Sequence, residues 1–135
     1  MINYKTSSGS GTVSDPTPEF VKRSLFEDPD AWSQTPDVLF NYSDVDRNSK
    51  LLIAYAPEEG YYTQFIDGSL WILVSDPNNI DKEVVEVDQD YEVSKGLLCD
   101  QDATWRAVEW FLQKGDKCPD LIWISDHKLP NGVVF

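Results

Sequence analysis

Residues 91–125 read YEVSKGLLCDQDATWRAVEWFLQKGDKCPDLIWIS. The spacing of this stretch predicts a strand end, a turn, one long amphipathic helix, a glycine stop and a buried strand. Asp100 is placed to cap the helix, because a carboxylate there accepts from the free backbone N–H groups of the first turn. Asp102 adds negative charge where the helix dipole favours it. Ala103, Ala107, Trp110 and Phe111 recur at the i, i+4, i+7, i+8 spacing of one buried stripe, which Val108 and Leu112 widen. Lys114 falls in the last turn, and Gly115 suits the left-handed residue that ends a helix. Leu121-Ile122-Trp123-Ile124 is apolar and too short for a helix, so it reads as a covered strand. The two alanines let helix and sheet approach closely, with Trp110 and Phe111 filling the space beside them.

Moving outward, the rest of the chain supplies the sheet. Residues 1–14 are rich in Ser, Gly and Thr and read as a flexible tail, leaving residues 15–135 as a single domain. Thr17-Pro18-Glu19 looks like a helix start, with a capping hydroxyl, proline at the first position and an early acid. Phe20, Val21, Ser24 and Leu25 fall on one side of that helix, and Pro29 closes it. From Asp37 the period changes to two. Val38–Tyr42 reads as a strand, Ser43–Ser49 as a polar turn, Leu51–Tyr55 as a second strand stopped by Pro57–Gly60, and Tyr61–Ile66 as a third. Asp67-Gly68 is a strong hairpin signal before a fourth strand, Leu70–Val74. Residues 83–93 are expected to supply a fifth and Leu121–Ile124 a sixth. Short connections favour an antiparallel meander of about six strands with two main helices packed on one side. The expected class is α+β.

The 135 residues carry 24 acidic and 11 basic side chains, a net charge of −13. Such a balance argues against direct binding to nucleic acid or to an anionic membrane. No run approaches the ~20 apolar residues of a membrane helix, and residues 1–14 lack the apolar centre of a secretory signal, so a soluble, cytoplasmic protein is expected. Cys99 and Cys118 flank the predicted helix, about 20 Å long at 1.5 Å per residue. A disulfide needs Cα atoms within about 7 Å, so two reduced thiols are expected. With one histidine and no CxxC, the cysteines do not read as a zinc site.

Each candidate site has to be weighed against a plain structural role. Asp44, Asp46 and Asn48 alternate like the start of a calcium loop, yet Ser49 stands where glycine is required and Tyr55 where glutamate is. Asp88, Asp90 and Glu92 fail the same test, with Val93 and Cys99 at those positions. No metal and no cofactor is expected. Glu86, Asp88 and Asp90 are spaced by two, which on one strand puts all three on one face, with Val85 and Val87 on the other. Such a row is either a solvated outer face that discourages edge pairing or an acidic strip for a partner's Lys and Arg groups, extended by Asp81, Glu83 and Glu92. His127 stands beside Asp126, and Cys99 precedes a helix start, where a thiolate is favoured; a Cys99–His127 dyad for a small hydrolase is conceivable. Phosphate loops, dinucleotide fingerprints and zinc-hydrolase patterns are absent from the sequence, and no catalytic residue is assigned. Trp105 lies off the helix stripe, placing it at a sheet edge or an interface.

The run AVEWFLQKG followed by CPDLIW resembles immunity protein family one of bacterial polymorphic toxin systems, most clearly over Val93–Trp123. The resembling features are Glu109-Trp110-Phe111-Leu112, then Gly115, Pro119 and Trp123; Lys117-Cys118 stand where that family commonly has an arginine before the proline. The resemblance implies a small cytoplasmic protein, not an enzyme, that binds and neutralises the toxin encoded beside it. Nucleic-acid deaminases are prominent among such toxins. On that implication the partner is a toxin domain that is basic around its active site, met by Glu86, Asp88 and Asp90. The competing expectations are an acidic nucleic-acid mimic that inhibits a host or phage nuclease, and the small Cys/His hydrolase.

Overall fold

The computed structural model describes residues 2–6, 12–27, 37–80, 83–88, 91–133 and 135. Its centre is an antiparallel sheet running β10-β6-β5-β4-β3-β1-β2. In chain order these strands are β1 (Ile2–Thr6), β2 (Thr12–Ser14), β3 (Asp37–Asp44), β4 (Arg47–Ala56), β5 (Gly60–Ile66), β6 (Leu70–Val74) and β10 (Ile122–Ser125). A short strand, β9 (Leu98–Cys99), pairs with the part of β5 that β6 leaves open. Gly60, at φ +131°, lets β9 come this close, since a Cβ there would stand 2.7 Å from the Cys99 carbonyl oxygen. Two further strands, β7 (Val84–Asp88) and β8 (Tyr91–Ser94), form a separate hairpin.

The two faces of the sheet are covered differently. Val38 and Phe40 of β3, Leu51 and Ile53 of β4, and Tyr61 and Phe65 of β5 point to one face, where Val21 and Leu25 meet Val108 and Phe111. That face belongs to the helices, α1 (Pro18–Lys22) with its π-helical continuation Arg23–Glu27, and α2 (Gln101–Lys114). Ala54, Ala56, Tyr62, Ile72 and Val74 point to the other, where they pack against Val87, Val93, Leu97, Leu98 and Val133. Helices, main sheet and hairpin thus form three layers. The α+β class and the helices on one side agree with the sequence reading. The hairpin layer does not follow from it.

Local chemistry explains the ends of both helices. Asp100 accepts from the Ala103 N–H at 2.8 Å and caps α2, while Gly115 ends it at φ 65° with its N–H on the Phe111 carbonyl. Thr17 caps α1 by accepting from the Phe20 N–H at 3.2 Å, with Pro18 in the first turn. The buried stripe of α2 is Thr104, Ala107, Val108 and Phe111. Thr104 fits it because its hydroxyl donates to the Asp100 carbonyl at 2.8 Å, which leaves the methyl to pack. The expected stripe through Ala103 and Trp110 is therefore rotated: both are only half-buried, and Trp110 joins none of the core clusters. On α1 the π-helical turn similarly leaves Phe20 exposed while Val21 and Leu25 enter the core; Pro29 lies outside the described residues.

Three further expectations change. The segment read as a flexible tail holds β1 and β2; β1 pairs along β3 from Ile2–Tyr42 to Thr6–Val38. Ile2 is buried there, and its N–H donates to Asp15 at 2.9 Å. Ser43–Ser49 shrinks to a tight turn at Val45-Asp46, because β3 and β4 keep pairing out to Asp44–Arg47. Residues 83–93 are not one strand of the main sheet but the β7–β8 hairpin laid across it.

Candidate partner-binding surface

The hairpin is held from below by its valines. Val87 and Val93 are buried and Val85 is half-buried, against the small Ala54 and Ala56 and the larger Tyr62 and Ile72. Alternation then turns Glu86 and Glu92 outward, and both are exposed. They are direct cross-strand partners, which puts the two Cβ atoms about 4.5–5.5 Å apart. Two like charges in that position oppose each other, and nothing in the hairpin itself requires them. At its base the Lys95 N–H donates to the Glu83 carbonyl at 2.6 Å, and the Lys95 ammonium reaches Glu59 at 3.5 Å.

A register irregularity falls between Glu86 and Asp88, and Asp88 at the end of β7 pairs back with Tyr91 at the start of β8, so the segment read as one strand is a hairpin. What the reversal brings together is Glu86 and Glu92, a juxtaposition that counting by two along a single strand does not find. The valine pattern on both sides of Gln89-Asp90 held the clue. Glu83 is exposed just ahead of β7. Asp88 ends β7; Asp81 and Asp90 lie outside the described residues.

Trp105 sits in the helix layer, on the opposite side of the sheet. Its ring meets Phe26 edge-on at 6.1 Å and lies under the Lys22 ammonium at 5.7 Å. It thus joins α2 to the first helix rather than covering a sheet edge. Of the motif residues, Phe111 is in the core beside Phe40 and Phe65, and Trp123 packs on Phe65 at 6.2 Å while donating its indole N–H to the Cys118 carbonyl. Pro119 is exposed in the turn before β10.

Cys99 and His127 stand in opposite surroundings. The Cys99 thiol is buried and faces the Leu73 carbonyl at 3.5 Å. Burial, with the Asp100 charge adding to it, pushes the thiol up to about 12, the reverse of what a reactive thiolate needs. His127 is exposed and sits 3.6 Å from Asp126. In the Asp44–Asn48 turn the oxygens are engaged locally: Asp44 accepts from the Val45 N–H at 2.7 Å, and Ser43 donates to Asn48 at 2.9 Å. Among the described residues, no three His, Cys, Asp or Glu side chains gather as a metal site, and no helix is long and apolar enough to cross a membrane.

No protein-family model, curated protein or solved structure matches the chain.

Proposed function

We propose that this protein is an immunity protein, similar to immunity protein family one, which acts in the cytoplasm by binding and neutralising a cognate toxin directed at nucleic acid. The outer face of the β7–β8 hairpin covers the toxin's basic substrate site. The carrying observation is the exposed Glu86–Glu92 pair. Opposed carboxylates lower the stability of a free hairpin, and a partner's Lys or Arg placed between them turns that repulsion into charge-assisted hydrogen bonds. A toxin that handles DNA or RNA has a basic channel for the phosphates, and a net charge of −13 steers the inhibitor toward it. The sequence resemblance around Glu109–Trp123 supports the same reading independently of charge. The protein itself performs no catalysis in this reading and needs no cofactor.

Co-purification from the native operon, with the bound species identified by intact mass, tests the proposal. A stoichiometric toxin fragment from the adjacent gene is expected. A clean monomer, with no effect on survival when the neighbouring product is expressed, would overturn it. An acidic mimic of nucleic acid would use the same hairpin against a host or phage nuclease. It differs in having no toxin gene next door.

A further inference from the structure

On the helix layer, α2 and the turn that follows it enclose a small pocket of 280 Å³ lined by Arg106, Glu109, Trp110, Gln113, Cys118 and Asp120. It is below the about 300–1,000 Å³ of a small-molecule site and suits one long side chain. Trp110 is the unusual member. It stands on the α2 surface half-buried and outside the core clusters, so a large aromatic face borders a cleft instead of filling the interior. Glu109, beside it, is exposed and makes no ion pair among the described residues. Asp120 across the pocket meets Arg106 only at 3.9 Å, with both side chains more than half exposed, an arrangement that holds little energy.

We propose that this pocket takes a single arginine side chain from a protein partner, stacked on Trp110 and paired with Glu109. Two carboxylates against one guanidinium leave the lining with a net charge of −1, which one incoming cation balances. An arginine fits better than a lysine, because its planar guanidinium covers an indole face and presents a fork of donors to a carboxylate at the same time. Arg106 keeps its place beside Asp120, so the incoming group occupies the side bounded by Glu109, Trp110 and Gln113. The pocket lies across the sheet from the Glu86–Glu92 pair, and the inference does not depend on what the hairpin binds.

The test uses the full chain labelled with nitrogen-15, with the Trp110 indole resonance assigned through Trp110→Phe. An acetylated tri-arginine peptide is titrated at low salt, and its tri-citrulline counterpart is the neutral control. Expected is a saturable shift of the Trp110 resonance with arginine alone, weakened at least fivefold by Glu109→Gln in a protein whose melting temperature is unchanged. A Trp110 resonance that stays still, moves equally with citrulline, or ignores Glu109→Gln overturns the inference. Shifts confined to Glu86 and Glu92 also overturn it, while leaving the immunity reading intact.

Discussion

Gly115 lies flat against the ring of Tyr42: a Cβ on Gly115 would overlap the Tyr42 Cγ and Cδ atoms. Its carbonyl at the same time accepts from Arg47 at 2.7 Å and from Ser49 at 2.6 Å, and Arg47 goes on to pair with Asp116 at 3.2 Å. The residue that stops α2 is thus also the point where the helix is fastened to the β3–β4 hairpin. Backbone conformation, ring packing and two hydrogen bonds converge on one position that has no side chain.

Gly115→Ala is therefore expected to destabilise the protein by about 1–3 kcal/mol from the left-handed backbone alone, with more from displacing Tyr42. The urea midpoint at constant slope reads it. In a Tyr42→Ala background the same change should cost less, since the two residues share the contact. Equal costs in both backgrounds would remove the ring from the explanation.

Phe111 and Trp110 are adjacent in sequence but differ in burial. Phe111 is fully buried, with Phe40 and Phe65 edge-on at 6.4 and 6.2 Å. Phe111→Ala should cost about 3–5 kcal/mol, whereas Trp110→Ala, on the half-buried flank, should cost far less. A larger loss from Trp110 in chemical denaturation would restore the stripe through Ala103 and Trp110.

Cys99 gives a pH signature. Its thiol is raised from 9.0 to about 12 by burial and by the Asp100 charge. Below the unfolded value both states are protonated and the stabilisation from the buried neutral thiol is complete. As pH climbs toward the folded value the unfolded chain ionises first, so stability declines by about 1.4 kcal/mol per pH unit at most. Unfolding free energies at pH 8, 9 and 10.5 should fall more gently for Cys99→Ala than for the parent. Tyr61, raised by burial and by Tyr55, acts in the same direction, so Tyr61→Phe is the companion variant. Parallel pH slopes for parent and Cys99→Ala would dismiss the assignment.

Glu86→Lys replaces a repelling cross-strand pair with an attracting one. The hairpin should gain a few tenths of a kcal/mol, an advantage that added salt erodes. Association with the proposed toxin partner should slow and lose much of its salt dependence. If stability and association rate both rise together, Glu86 does not contact the partner.

Thr63 is buried in the sheet beneath the helices, and its hydroxyl oxygen has no hydrogen-bond partner. An orphaned buried hydroxyl costs about 1–3 kcal/mol, so Thr63→Val should raise the melting temperature. A lowered melting temperature would mean that the hydroxyl is satisfied in solution.

The parts of the fold that were legible in the sequence are those set by short-range chemistry. Asp100 and Gly115 bracket α2 because capping and a left-handed stop involve neighbours in the chain. Asp67-Gly68 turns β5 into β6 for the same reason, with Gly68 at φ 101°. Pairings made at a distance were not legible. Ile2–Thr6 becomes a strand only because β3 offers it an edge, and nothing within a Ser/Gly-rich segment announces that. The hairpin was missed because Val85, Val87 and Val93 look alike whether they form one strand or two. On α2, the stripe read through Ala103 and Trp110 omits Thr104, whose hydroxyl is satisfied within the helix and whose methyl is free to enter the core. The acidic site was half legible: Glu86 and Glu92 were both singled out, but their meeting depends on the reversal between them.

One edge of β5 is shared end to end by β6 and β9. The chain leaves the sheet after Val74 and returns at Leu98, so both ends of the excursion carrying β7 and β8 are clamped to a single strand. The excursion behaves as a cassette in a fixed frame. Its valines rest on Ala54, Ala56, Tyr62 and Ile72, on the sheet face turned away from the helix layer. Under the proposed function, such wiring would let recognition be revised in one segment while the scaffold stays as it is.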